Sequence, residues 1–194
     1  MLNKNKNKML SLLRNYLTNS DISYWLEYGS LLGAVREKKI ISHDYDIDIG
    51  ILQSEWSKNI REQLKSINFD LVREIKIDGV VYEESYQYNQ ILIDFFYCPL
   101  KENIISIPVF RPFTGLTWEQ SLQEKKGLEL YLFHQEFKGL KETEFENYNF
   151  SIPVNYHEHL LNYYGLDYMV PDENWNRENE AKATGRKGIQ VTYK

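Results

Sequence analysis

The segment Ser42-His-Asp-Tyr-Asp-Ile-Asp-Ile-Gly50 constrains this chain more than any other stretch of it. Asp44, Asp46 and Asp48 recur at every second position, with Tyr45, Ile47 and Ile49 between them. Successive side chains on a β-strand point to opposite faces, so the pattern predicts a strand over Asp46 to Leu52. Its isoleucines would face a core and its carboxylates would share the other face. Three like charges on one face repel one another unless a cation neutralises them. Two aspartates two residues apart can both reach one hard, oxygen-preferring ion such as magnesium or manganese.

A bare Asp-x-Asp also suits a solvated strand edge. Asp94 changes that balance. It stands alone in Ile91-Leu-Ile-Asp-Phe-Phe-Tyr-Cys98, where an unpartnered buried carboxylate is costly. A cation shared with Asp46 and Asp48, or a network with those aspartates, would relieve the cost, and the three aspartates are read as one metal site. Upstream, Gly29-Ser-Leu-Leu-Gly-Ala-Val-Arg36 places a glycine and a hydroxyl where a strand gives way to a helix. Gly29 lets the backbone approach a phosphate, and Ser30 with the helix N-terminal amides can bind its oxygens. Gly33 permits close helix packing. Arg36 offers a bidentate fork to phosphate or carboxylate.

Around these motifs the apolar spacing predicts a helix over 5–18, a strand over Ile22 to Tyr28, a helix over Ser30 to Glu37 and a helix capped by Ser54. Strands follow over Phe69 to Ile75, Val80 to Tyr86, Gln90 to Cys98 and near Ile104 to Val109. Asp78-Gly79 marks a hairpin. Leu128 to Phe137 fits strand or helix, and residues 110–128 have no clear period. Tyr156 to Tyr164 reads as a helix ended by Gly165. One domain over residues 1–171 and a polar tail over 172–194 are expected.

The 194 residues carry a net charge of −5, so a global basic footprint is absent and no nucleic-acid partner is expected. The single cysteine, Cys98, cannot form an intrachain disulfide and reads as a small buried side chain. No apolar run is long enough to span a bilayer, and the lysine-rich start does not read as a signal peptide, so a location in the cytoplasm, free or peripheral to the membrane and without stable insertion, is expected. His157 and His159 lie two apart on a predicted helix and do not share a face.

Residues 29–50, GSLLGAVREKKIISHDYDIDIG, resemble the hallmark of the LicD/fukutin family of phosphotransferases, within the nucleotidyltransferase fold superfamily. Ser30 stands for the usual threonine, Ser42-His43 for Pro-Trp, and Tyr45 for a frequent aspartate. The resemblance continues at LIDFFYC, at Phe150-Ser-Ile-Pro153 and at residues 156–171, YHEHLLNYYGLDYMVP. It implies an α/β fold, a nucleotidyltransferase-like mixed sheet flanked by helices. It also implies transfer of a phospho-alcohol, phosphocholine-like or a polyol phosphate, from a CDP-activated donor to a glycan or lipid-linked sugar acceptor. Asp46, Asp48 and Asp94 would be catalytic and would ligate Mg2+ or Mn2+. Gly29, Ser30, Arg36, Asp44 and His43 would meet substrate. Two other functions use the same residues: nucleotidyl transfer from an NTP to a hydroxyl, and catalytically inactive binding of a nucleotide or sugar phosphate.

Overall fold

The computed structural model describes residues 2–42, 44–172 and 182–193. The strands are β1 Tyr24–Leu26, β2 Asp46–Leu52, β3 Asp70–Ile77, β4 Val80–Tyr88, β5 Ile91–Cys98, β6 Leu100–Lys101, β7 Ile104–Arg111, β8 Leu128–Glu136 and β11 Lys182–Thr192. Among the described residues these nine form one mixed sheet in the order β1-β2-β5-β4-β3-β11-β8-β7-β6. Among the described residues only β2 and β5 pair in parallel; the other neighbours in this sheet are antiparallel. β9 (Leu140–Phe145) and β10 (Tyr148–Pro153) make a separate hairpin. The sheet curls enough for β7 to contact β5 across the intervening strands.

Alternation along β2 separates the two faces as the sequence requires. Ile47, Ile49 and Ile51 are fully buried among Met9, Leu10, Leu13 and Leu17 of α1 (Leu2–Asn19) and Ile60 and Leu64 of α3 (Lys58–Ser66). Burying each such side chain contributes roughly 1.5–3 kcal/mol, so this layer fixes the convex side. The concave side holds a second cluster in which Trp25 and Phe96 meet Ile105, Ile107 and Val109 of β7.

Several sequence expectations are corrected. β1 is shorter than expected because Tyr28 turns into the left-handed region, with φ 44°, and opens α2 (Tyr28–Arg36) behind Glu27 as N-cap. That conformation costs an L-residue roughly 1–2 kcal/mol. The Tyr28 hydroxyl donates to Pro108 O at 2.8 Å, and its ring meets Phe96 and Tyr163, which offsets the cost. Ser54 does not cap α3; Gln53–Glu55 is a 3-10 turn, and Ser57 holds the N-cap position. Residues 110–128 contain the short α4 (Trp118–Gln120), started by a Thr117–Gln120 capping box. The largest correction concerns the expected tail. Residues 182–192 form β11, inserted between β3 and β8. Residues 173–181 of that tail, and His43, lie outside the described residues.

Behind the concave face, Glu84 is fully buried and accepts from Arg61 Nε at 2.6 Å, Trp56 Nε1 at 3.2 Å, Tyr86 Oη at 2.7 Å and Tyr97 Oη at 2.6 Å. Burial and the Glu84 charge push both phenols up, so they stay protonated and donate. This network fastens β4 to β5 beside Asp94. Glu84→Gln leaves Arg61 less well compensated and should cost roughly 3 kcal/mol of stability. An unchanged urea midpoint would show that the network is not a brace.

Candidate metal and phosphate site

Asp46 and Asp48 leave the core-facing alternation of β2 on its concave side, and Asp94 leaves β5 on the same side. The parallel register sets Asp48 directly opposite Asp94. The three residues bring carboxylate oxygens within 4.8 Å of one another. Asp94 is 7% exposed, and its Oδ1 is buried without a hydrogen-bond partner. Burial raises its pKa; Arg73 opposes that rise, and the Asp46 charge adds to it. An all-oxygen donor set with an unsatisfied buried oxygen fits a hard divalent cation.

The start of α2 faces these carboxylates. A Cβ at Gly29 would fall 2.7 Å from Asp44 Oδ2 and 3.5 Å from Asp48 Oδ2, so only glycine leaves the carboxylates where they are. Gly33 and Arg36 follow at helical spacing and share the face of Gly29. A Cβ at Gly33 would meet Lys39 O at 2.3 Å, so this face lies against the connector that leads into β2. The Arg36 side chain is largely buried, with Nη2 3.7 Å from Glu37 Oε1. Ser30 has a different place from the one its hydroxyl suggested. It is buried, and its Oγ accepts the backbone N–H of Asp48 at 2.9 Å, which pins β2 to α2. Glu27 N donates to Asp48 O at 3.0 Å and completes that clamp. The Glu27 carboxylate accepts from Trp25 Nε1 at 2.6 Å, and burial raises its pKa to about 7.

Sequence reasoning missed two residues beside the carboxylates. Arg73 of β3 donates to Glu83 Oε1 of β4 at 2.7 Å and lies 3.6 Å from Asp94 Oδ1. Burial raises the Glu83 pKa to about 7, with Arg73 opposing and Asp94 adding to the rise. The Arg73 guanidinium also lies over the Trp118 ring, 5.6 Å from its centroid. The available signal was the acidic pair Glu83-Glu84 in a strand of valines and tyrosines that also carries Ser85 and Gln87, but its meaning depends on the register of β3, β4 and β5. His157 and His159 form no metal cluster among the described residues; His157 Nδ1 instead meets Tyr168 Oη at 2.8 Å.

The mixed sheet with flanking helices is a nucleotidyltransferase-like α/β fold. Within that class the chain belongs to the LicD/FKTN/FKRP family, whose nucleotidyltransferase-domain model matches residues 21–155. An uncharacterized protein of Rickettsia typhi is 33% identical over 118 residues, which is 50% of this chain and 38% of that protein. Human ribitol-5-phosphate transferase FKTN is 23% identical over 89% of this chain and 35% of its own length. Mouse ribitol 5-phosphate transferase FKRP is 30% identical over 74% of this chain and 28% of its own length. These matches thus span well under half of each of the three relatives. Among solved structures, the lincosamide adenylyltransferase LnuA aligns with a TM-score of 0.47 and 17% identity, covering 80% of this chain and 83% of that one. No helix among the described residues is long and apolar enough to cross a membrane.

Proposed function

We propose that this chain transfers a phospho-alcohol from a CDP-activated donor to a sugar hydroxyl of a cell-surface glycan, with a divalent cation bound by Asp46, Asp48 and Asp94. The observation that carries this reading is the convergence of the three carboxylates on one face, in a member of a family that includes ribitol phosphate transferases. A bound magnesium or manganese ion would supply charge neutralisation for the donor phosphates. The residues of the chain do the rest. Gly29 lets the phosphates approach the start of α2, whose amide dipoles favour negative charge. Arg36 holds phosphate oxygens through its planar fork. The sugar hydroxyl oxygen forms a bond to the distal phosphorus, the bond to the CMP oxygen breaks, and Asp94 accepts the hydroxyl proton. Asp44, beside Gly29, contacts the acceptor. Ser30 acts through Asp48 by fixing its backbone.

A donor screen tests the reading. CMP release from CDP-ribitol or CDP-choline in the presence of a sugar acceptor is expected. Pyrophosphate release from CTP or ATP would instead identify a nucleotidyltransferase. Calorimetric metal binding without turnover on any donor would identify a binding module. The role of Arg36 has its own test. Arg36→Lys keeps the charge and loses the fork, so turnover should fall roughly tenfold with folding intact. A wild-type rate removes Arg36 from phosphate contact, and a variant that fails to fold makes it a brace for the connector.

A further inference from the structure

We propose that Glu83 is a positioning residue that holds the Arg73 guanidinium off Asp94, keeping Asp94 Oδ1 open to the cation. The inference rests on the metal reading of the three aspartates. Arginine and aspartate side chains this close ordinarily join by one or two charge-assisted hydrogen bonds. Here they do not. Arg73 Nη2 lies 2.7 Å from Glu83 Oε1 but 3.6 Å from Asp94 Oδ1, beyond hydrogen-bond distance. Asp94 Oδ1 is buried and makes no hydrogen bond, and neither does the buried Arg73 Nε. The guanidinium is restrained on a second side by Trp118, whose Nε1 is fixed by Gln190 Oε1 at 3.0 Å. Glu83 is itself almost fully buried, so it cannot swing into solvent and release the arginine.

The chemistry of the pair follows from these distances. With the Glu83 charge removed, Arg73 keeps only a weak neutral acceptor there and has a bare carboxylate oxygen within an ångström of bonding distance. The guanidinium would close onto Asp94 and compete with the cation for Oδ1. Glu83 therefore serves the metal through Arg73. A simpler alternative is that the Glu83 charge attracts the cation through space, independently of Arg73. A double-mutant cycle separates the two.

The test measures Mn2+ affinity by calorimetry and the Mg2+-induced rise in Tm for the full chain, with circular dichroism in EDTA to verify folding. The variants are Glu83→Gln, Arg73→Met and the double variant, with Arg73→Gln replacing Arg73→Met if that protein does not fold. Glu83→Gln should weaken Mn2+ binding by about tenfold or more, the range seen when a residue that orients a metal ligand is lost. In the Arg73→Met background the same change should alter affinity by less than about threefold. Equal losses in both backgrounds, or no loss in Glu83→Gln, would overturn the proposal while leaving the metal site standing. A wild-type chain that binds no Mn2+ would overturn the metal reading and this inference with it.

Discussion

Asp48→Asn is expected to lower turnover by about a thousandfold or more and to leave the protein folded. The first part follows from the position of the carboxylate, opposite Asp94 and within 4.8 Å of both partner aspartates. Losing a ligand to a cation that neutralises phosphate charge removes several kcal/mol of transition-state stabilisation, and each 1.4 kcal/mol is about tenfold in rate. The second part follows from how Asp48 is held. Its backbone N–H bonds to Ser30 Oγ and its carbonyl accepts from Glu27 N, and both contacts survive a change of side chain. Asparagine is nearly isosteric and removes one charge from a repulsive cluster. Turnover within tenfold of wild type would take Asp48 out of the metal site. A collapse in Tm would mean that the side chain supports the fold.

Asp94→Asn should have an equally large effect on turnover and should leave the metal-free protein at least as stable as wild type. Asp94 places its carboxyl group in a buried site, and burial, with the nearby Asp46 charge adding to it, raises its folded pKa above the usual aspartate value. A raised carboxylate pKa means that the folded state binds the proton more tightly than the unfolded chain. Stability therefore falls as pH rises from the ordinary aspartate pKa, about 3.9, through the raised folded value. Above that window the penalty is fully present, and asparagine removes it. In EDTA at neutral pH the variant should be at least as stable as wild type, and its advantage should shrink as pH falls through the window. With magnesium the order reverses. The cation binds only the folded wild type and stabilises it, whereas the variant loses most of that gain. Thermal melts of both proteins, with and without magnesium at two pH values, check each sign. A variant that melts well below wild type in EDTA at neutral pH would make Asp94 a structural partner of Arg73.

The parts of this molecule that depend on local pattern were legible in the sequence. Alternation placed β2 and its carboxylates, Asp78-Gly79 placed the β3–β4 turn, and the apolar stripe placed α1. What was hidden depends on neighbours. β11 runs Lys-Ala-Thr-Gly-Arg-Lys-Gly-Ile-Gln-Val-Thr, with too few apolar residues to read as a strand. It is a strand because β8 offers backbone partners to its first part, up to Gly188, and β3 to its last four residues, Ile189 to Thr192. Gly188 belongs there because a Cβ would fall 2.4 Å from the Phe110 ring. The β9–β10 hairpin is similarly polar, and its Glu146-Asn147 turn takes positive φ at both residues, a conformation glutamate seldom signals. Ser30 shows the limit on the functional side. The sequence shows a hydroxyl at a helix start, and only the packing of α2 on β2 shows that Asp48 N–H already uses it as an acceptor. Arg73 and Glu83 needed the register of three strands to appear beside Asp94 at all.

Whether the chain is a cation-dependent phospho-alcohol transferase is decided by CMP release from a CDP-alcohol, measured for the wild-type chain before EDTA, in excess EDTA, and after magnesium or manganese is restored. Turnover should stop in EDTA and return with either ion. Turnover that continues unchanged in excess EDTA would contradict a catalytic cation at Asp46, Asp48 and Asp94.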